Sequence, residues 1–232
     1  MGGFVNGLAG FGTALFALGW WLQIMSPLQA VAIVLATSVI SGLPGLRLVW
    51  NHIQPRLLLR FLIPALVGIP LGTYFLAIIS SQVMMLLVAI FMFAYGAFFS
   101  LRSALPKVDG DHPIVDRCVG LIAGVLGGMA GLSGALPTMW LSMRPWEKNK
   151  TRGILQPFNM TILGVAIAGA WLQGGYTIVT LKFLLFAFPA TAIGTLCGIQ
   201  IYRRISDSLF RRMLIILMLL SGIGLFIRIW LS

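Results

Sequence analysis

The chain of 232 residues is poor in acidic groups, imidazoles and thiols: it has five Asp and Glu, two His and two Cys, against sixteen Lys and Arg. All five carboxylates (Asp109, Asp111, Asp116, Glu147, Asp207) and both imidazoles (His52, His112) read as lying between apolar runs rather than inside them. Proton-coupled pumps relay protons through such groups within the membrane, and cation pores use acidic rings, so neither mechanism is expected. Cys118 and Cys197 sit in or beside apolar segments and read as small core residues, not as a disulfide. Hydrophilic stretches are scarce as well: the longest is Leu105–Arg117, which leaves no room for a soluble domain. The first Lys or Arg is Arg47, so the charged start of a cleavable signal is not seen. No catalytic residue, metal ligand or cofactor is expected.

What is present is apolar. Hydrophobic residues make up 59% of the chain and its mean hydropathy is +1.00. Eight runs are long enough to read as spanning helices: Gly2–Met25, Leu28–Trp50, Leu57–Ile79, Val83–Leu101, Cys118–Met143, Ile154–Gln173, Ile178–Tyr202 and Met213–Leu231. The fold class expected is an all-α polytopic membrane protein. The net charge of +11 is carried between the runs, which is how orientation signals are distributed in membrane proteins, so nucleic acid is not an expected partner; membrane lipids are.

The second half repeats the first. Gly7–Gly12 matches Gly128–Ser133, a shift of 121 (128 − 7), while Gly68, Gly72, Gly96 and Arg102 match Gly194, Gly198, Gly222 and Arg228 at a shift of 126 (194 − 68). The expected organisation is therefore a first repeat at 1–104, a connection at 105–117 and a second repeat at 118–232. If all eight runs crossed, the basic residues would divide eight against eight. If the first and fifth runs instead bend at their glycines and leave on the side they entered, fourteen share one face and only Lys182 and Arg228 lie opposite. By the positive-inside rule the rich face is cytoplasmic. The halves are then inverted with respect to each other, as in many secondary transporters. Eight ordinary spans with weak bias remain the alternative.

Polar residues cluster where those bends fall. Asn6, Gly7, Gly10, Gly12 and Thr13 interrupt the first run; Ser133, Gly134 and Thr138 interrupt the fifth; Gln156, Asn159 and Thr161 lie in the sixth, with Arg152 at its start. Thr37 and Ser38 lie mid-way along the second. Small residues also let helix backbones approach, and a Thr or Ser can bond back to its own helix, so each has a structural reading beside the functional one. Gln156 and Asn159, three apart, share a helix face. Broken helices aim free N–H groups and a positive dipole end at an anion. Neutral Ser, Thr, Asn and Gln add hydrogen bonds without fixing it in place, and Arg152 either attracts the anion or anchors the helix at the basic face.

Gly131-Leu132-Ser133-Gly134 also resembles the G-x-S-G of rhomboid intramembrane proteases. That chemistry needs a histidine beside the serine, and both histidines lie outside the runs.

The paired glycine motifs, Gly7–Thr13 and Gly128–Gly134, with Gly68/Gly72 and Gly194/Gly198, resemble those of the TauE/SafE family of sulfite and organosulfonate exporters. The stretch 131–140 followed by Arg152 and Gln156–Asn159 resembles one divergent branch of that family. The resemblance covers essentially the whole chain and implies an inner-membrane exporter of small sulfur-containing anions. Two departures, Thr13 in the first motif and Phe16 opposite Pro137, leave other small organic anions such as carboxylates open. An anion channel or uniporter and a non-transporting scaffold are the rival readings. The expected substrate-binding residues are Asn6, Gly12, Thr13, Ser38, Ser133, Gly134, Arg152, Gln156 and Asn159; the expected partners are a small anion, lipids and a second copy of the chain.

Overall fold

A computed structural model describes residues 2–9, 12–101, 108–202 and 204. The expected eighth run and the basic residues Arg102, Lys107, Arg203, Arg211, Arg212 and Arg228 lie outside the described residues, as do Gly10 and Asp207. Among the described residues the chain is all-helical, with no strand: α1 (Gly2–Ala9), α2 (Thr13–Trp21), α3 (Pro27–Val49), a 3-10 turn (Trp50–His52), α4 (Pro55–Ile78), α5 (Ser81–Leu101), α6 (Pro113–Ala130), α7 (Ala135–Ser142), α8 (Lys148–Leu172) and α9 (Ile178–Tyr202). Six of them, α3, α4, α5, α6, α8 and α9, are long and apolar enough to cross a bilayer.

Helix starts follow local chemistry. Pro27, Pro55 and Pro113 open α3, α4 and α6, where the missing N–H costs nothing, and Ser26 caps α3 by accepting from the Gln29 N–H at 3.4 Å. Two glycines make the breaks. Gly12 (φ 104°) separates α1 from α2, and Gly131 (φ 69°) ends α6 ahead of α7. Both lie in the left-handed region, which costs a residue with a Cβ about 1–2 kcal/mol.

Each break turns the chain back. At the fifth run, the Val108 N–H donates to the Met143 carbonyl at 2.8 Å, Arg144 donates to the Val108 and Gly110 carbonyls, and Trp140 Nε1 donates to Asp116 Oδ1 at 2.7 Å. The end of α7 therefore sits beside the start of α6. That end also carries the α3–α4 and α7–α8 connections: Arg60 pairs with Asp111, and a Cβ at Gly153 would strike the His52 backbone. We call it the basic face. The first run turns back too, with Gly2 against Thr13 and Ala17. It leaves on the opposite face, where Trp21 stacks edge-on to Phe183 near the start of α9 and Gln29 donates to Thr177 at 3.1 Å. On that face Tyr176 donates to the Ala32 carbonyl, and burial pushes its phenol up to about 12.

The two hairpins pack in the same way. On α6, Gly124 and Gly128 meet the Ala65 and Ile69 carbonyls of α4; on α1, Gly3 and Gly7 meet the Thr191 and Thr195 carbonyls of α9. Gly124 and Gly128 are Gly3 and Gly7 shifted by 121 (124 − 3), and Thr191 and Thr195 are Ala65 and Ile69 shifted by 126 (191 − 65). The helices in each pair run in the same direction, and a side chain larger than hydrogen would force each pair apart.

One expectation is corrected. Asp116, expected in a solvated connection between runs, lies instead inside α6, which begins at Pro113, and is 0% exposed. Asp116 is thus a buried carboxylate inside a potentially spanning helix. Its Oδ1 accepts from Trp140, and its Oδ2 lies 3.9 Å from Arg60 Nη1. An acidic residue at the edge of an apolar run reads as loop from sequence; here an indole and a guanidinium compensate its burial.

Candidate functional site

The tips of the two hairpins meet mid-way along α3 and α8. A Cβ placed at Gly131 would come into van der Waals contact with Val34 and Leu35 on α3 and with Ala14 on α2. Between the tips is a small cavity of about 20 Å3, room for about one water. Its polar lining comes from Asn6, Ser38, Ser133, Gln156 and Asn159, with Gly12, Gly42 and Gly134 as backbone wall. Four separate elements thus bring uncharged donors and acceptors to one buried point.

Hydrogen bonds hold these side chains. Asn6 Nδ2 donates to Thr13 Oγ1 at 2.8 Å, Ser41 Oγ at 2.5 Å and the Ser38 carbonyl at 3.3 Å. Ser133 Oγ donates to Asn159 Oδ1 at 3.0 Å, tying the second hairpin to α8. Gln156 Nε2 donates to the Gly42 carbonyl at 2.8 Å, tying α8 to α3. Pro44 and Pro157 lie inside α3 and α8 close to these contacts, and each removes one helical N–H. Carbonyl acceptors fix both amide orientations, so Asn6 and Gln156 keep their side-chain oxygens free of protein partners.

Electrostatics come from the backbone. Both α2 and α7 begin at the cavity, since Gly12, Ala14, Ser133, Gly134 and Ala135 all line it, and neither start has a side-chain cap. The first N–H groups of a helix have no intrahelical acceptor, and its start carries about half a positive charge. Two such starts face one another across a cavity whose lining has no charged side chain. That arrangement could hold an anion by donors alone.

Of the nine residues expected from the sequence, seven line the cavity: Asn6, Gly12, Ser38, Ser133, Gly134, Gln156 and Asn159. Thr13 and Arg152 do not. Thr13 is 2% exposed and holds Asn6 through its hydroxyl; Arg152 lies one turn nearer the basic face than Gln156. Thr37 bonds back to the Ile33 carbonyl at 2.8 Å and Thr161 to the Pro157 carbonyl at 2.9 Å, so neither serves the cavity. Ser41 and Gly42 were missed. Ser41 follows Ser38 by three residues, a spacing that places both on one helix face, and this was the available signal.

A family model described as sulfite exporter TauE/SafE matches residues 1–225. The chain belongs to the TauE/SafE family. It is accordingly a multi-pass membrane protein of a transporter family, and the helix-break-helix elements seen here lie in the matched region. No curated protein and no solved structure matches the chain. For a TauE/SafE member, a buried, uncharged polar cavity flanked by two helix starts suits a small anion as cargo.

Proposed function

We propose that this chain is an inner-membrane exporter of small anions, sulfite or organosulfonates foremost, working by alternating access at the central cavity. The observation that carries this reading is the convergence of two uncapped helix starts and five neutral polar side chains on one buried point. The cargo is held by N–H, hydroxyl and amide groups. Their partial charges attract an anion without a counter-ion that would trap it, which a carrier requires.

The mechanism follows from size and packing. A cavity of about 20 Å3 has room for about one water, so a sulfite ion fits only once the lining moves apart. Cargo must enter by separating elements that now touch. Each hairpin is bound at backbone distance to one long helix, α6 to α4 and α1 to α9, so each pair is read as a rigid unit. Rocking of one unit against the other, with the Ser133–Asn159 and Gln156–Gly42 bonds breaking and re-forming, would open the cavity to one side at a time. The matching contacts at shifts of 121 and 126 support two inverted halves, 1–104 and 118–232, joined by the connection 105–117. The clustering of Arg56, Arg60, Arg144 and Lys150 at one end supports a cytoplasmic basic face. Arg152 and Thr13 act beside the site in this reading, Arg152 on the cytoplasmic approach and Thr13 as a brace for Asn6.

The test is uptake of labelled sulfite, and of a small sulfonate, into proteoliposomes. Ser133→Ala and Asn159→Ala are expected to abolish flux while the protein remains folded, and Asn159→Asp to be worse than Asn159→Ala because it adds like charge. Wild-type flux in both alanine variants would sink the site. Flux of carboxylates alone would retain the carrier and remove the sulfur cargo. Flux insensitive to any imposed gradient of a coupling ion would favour a uniporter.

A further inference from the structure

The basic face holds a second concavity, separate from the central cavity. It is an open cleft of about 740 Å3, lined by Arg56, Arg60, Asp111, Arg144, Trp146 and Lys150 among others. Four cations therefore face one carboxylate. Asp111 is engaged by Arg60, whose guanidinium beside it holds its carboxyl below the usual range. Among the described residues no carboxylate lies within ion-pair distance of Arg56, Arg144 or Lys150.

The arrangement of the remaining charges is held by the fold. Arg144 is 7% exposed, with its terminal nitrogens donating to the Val108 and Gly110 carbonyls and its Nε without a partner. Its guanidinium lies 4.9 Å from the centroid of the Trp146 ring, and Lys150 Nζ lies 4.4 Å from the same centroid. One indole thus carries two cations. The ring attracts each of them, and both add positive potential to the wall of the cleft. The start of α4 adds to the field: Pro55 opens it on the cleft, and the Gln54 side chain makes no cap, so its positive end is open.

We propose that this cleft is a second anion site, a loading vestibule that gathers the transported anion by charge before it reaches the central cavity. This rests on the reading of the chain as an anion exporter. The cleft is wide, and its cations come from α4, the α7–α8 connection and α8, so it takes a hydrated oxyanion weakly and in a salt-dependent way. The central cavity, by contrast, takes a dehydrated anion by short hydrogen bonds. The two sites adjoin along α8. Lys150 lines the cleft and Gln156 lines the cavity, six residues apart or about 9 Å of helix rise, with Arg152 between them. A lipid phosphate headgroup shares the vestibule's chemistry, and the experiment separates the two sources.

The experiment is calorimetric titration of the full chain with sodium sulfite and with methanesulfonate, in nanodiscs of neutral phosphatidylcholine and in discs that include phosphatidylglycerol. Two binding events are expected in neutral discs. Arg56→Gln combined with Lys150→Gln should weaken the lower-affinity event about tenfold or more at low salt, with the difference vanishing in high salt as charges are screened. Asn159→Ala should remove the tighter event and leave the weaker one. A single event, or a weaker event unchanged in the double variant, would overturn the vestibule. Loss of the weaker event whenever phosphatidylglycerol is present would assign the cleft to a headgroup and would overturn it too. If the tighter event survives in Asn159→Ala, the central site fails while the vestibule is judged separately on the double variant.

Discussion

Replacing Gly124 by alanine tests the packing on which the two-unit mechanism depends. In a solvated helix a Gly→Ala change gains about 1 kcal/mol. At Gly124 the added Cβ would lie 2.7 Å from both the carbonyl carbon and the Cα of Ala65 and would overlap the carbonyl oxygen. Those atoms are backbone and cannot rotate aside, so α4 and α6 must separate. Overpacking of this kind costs about 1–3 kcal/mol, and a backbone clash belongs at the upper end, leaving a net loss of about 2 kcal/mol. For a chain of this size that lowers the melting temperature by about 4–8 °C. Gly164 is the internal control. It lies within α8 with no atom within 4 Å of an added Cβ, so Gly164→Ala should be neutral or raise the melting temperature by up to about 4 °C. The assay is thermal unfolding of both variants in one detergent. Equal melting temperatures for Gly124→Ala and Gly164→Ala would refute the close approach of α4 and α6, and with it the rigid pairing of hairpin and helix.

Two further outcomes follow from the base of the second hairpin. Trp140→Phe removes the indole donor to the buried Asp116 carboxylate, at a cost of about 1–3 kcal/mol; melting should fall by several degrees, and an unchanged melting temperature would mean that the contact does not hold α7 to α6. The Arg60–Asp111 pair is pH-dependent in a definite direction. The folded-state pKa of Asp111 is lowered by Arg60, so the pair contributes above the unfolded value, about 3.9, and its contribution is lost as pH falls through the folded value. Asp111→Asn should therefore lower the melting temperature slightly at pH 7, by a difference that shrinks as pH falls below the unfolded value, and a difference that grows with acidification would contradict the pairing.

How much of this was legible beforehand depended on the kind of signal. The breaks at Gly12 and Gly131 were, because glycine in an apolar helix is unfavourable unless it does something, and both have positive φ. Charge counting alone leads to the expectation that the fifth run returns to its own side, and Arg60, Asp111 and Arg144 lie together at the base of the α6–α7 hairpin. The bond between Ser133 and Asn159 was not legible as a contact, since it joins residues on different helices and only packing decides which polar groups meet. Thr13 carried the same signal as Asn6 yet braces it instead of facing the cavity, a difference of helix rotation that spacing across a break does not determine. Asp116 was misread because hydropathy places the end of a span at the nearest charge, whereas Trp140 and Arg60 come from elsewhere in the chain.

The central claim is that a small anion is bound at the cavity by Asn159 and its neighbours, and ligand-dependent melting of the purified protein tests it most directly. A ligand that binds only the folded state at a hundred times its dissociation constant adds about 2.7 kcal/mol, or about 5–10 °C for a chain of this size. The account predicts a rise of that order with sulfite or a small sulfonate, growing with the logarithm of concentration, and its loss in Asn159→Ala. The same rise in wild type and Asn159→Ala, or no rise with any small anion, would contradict it.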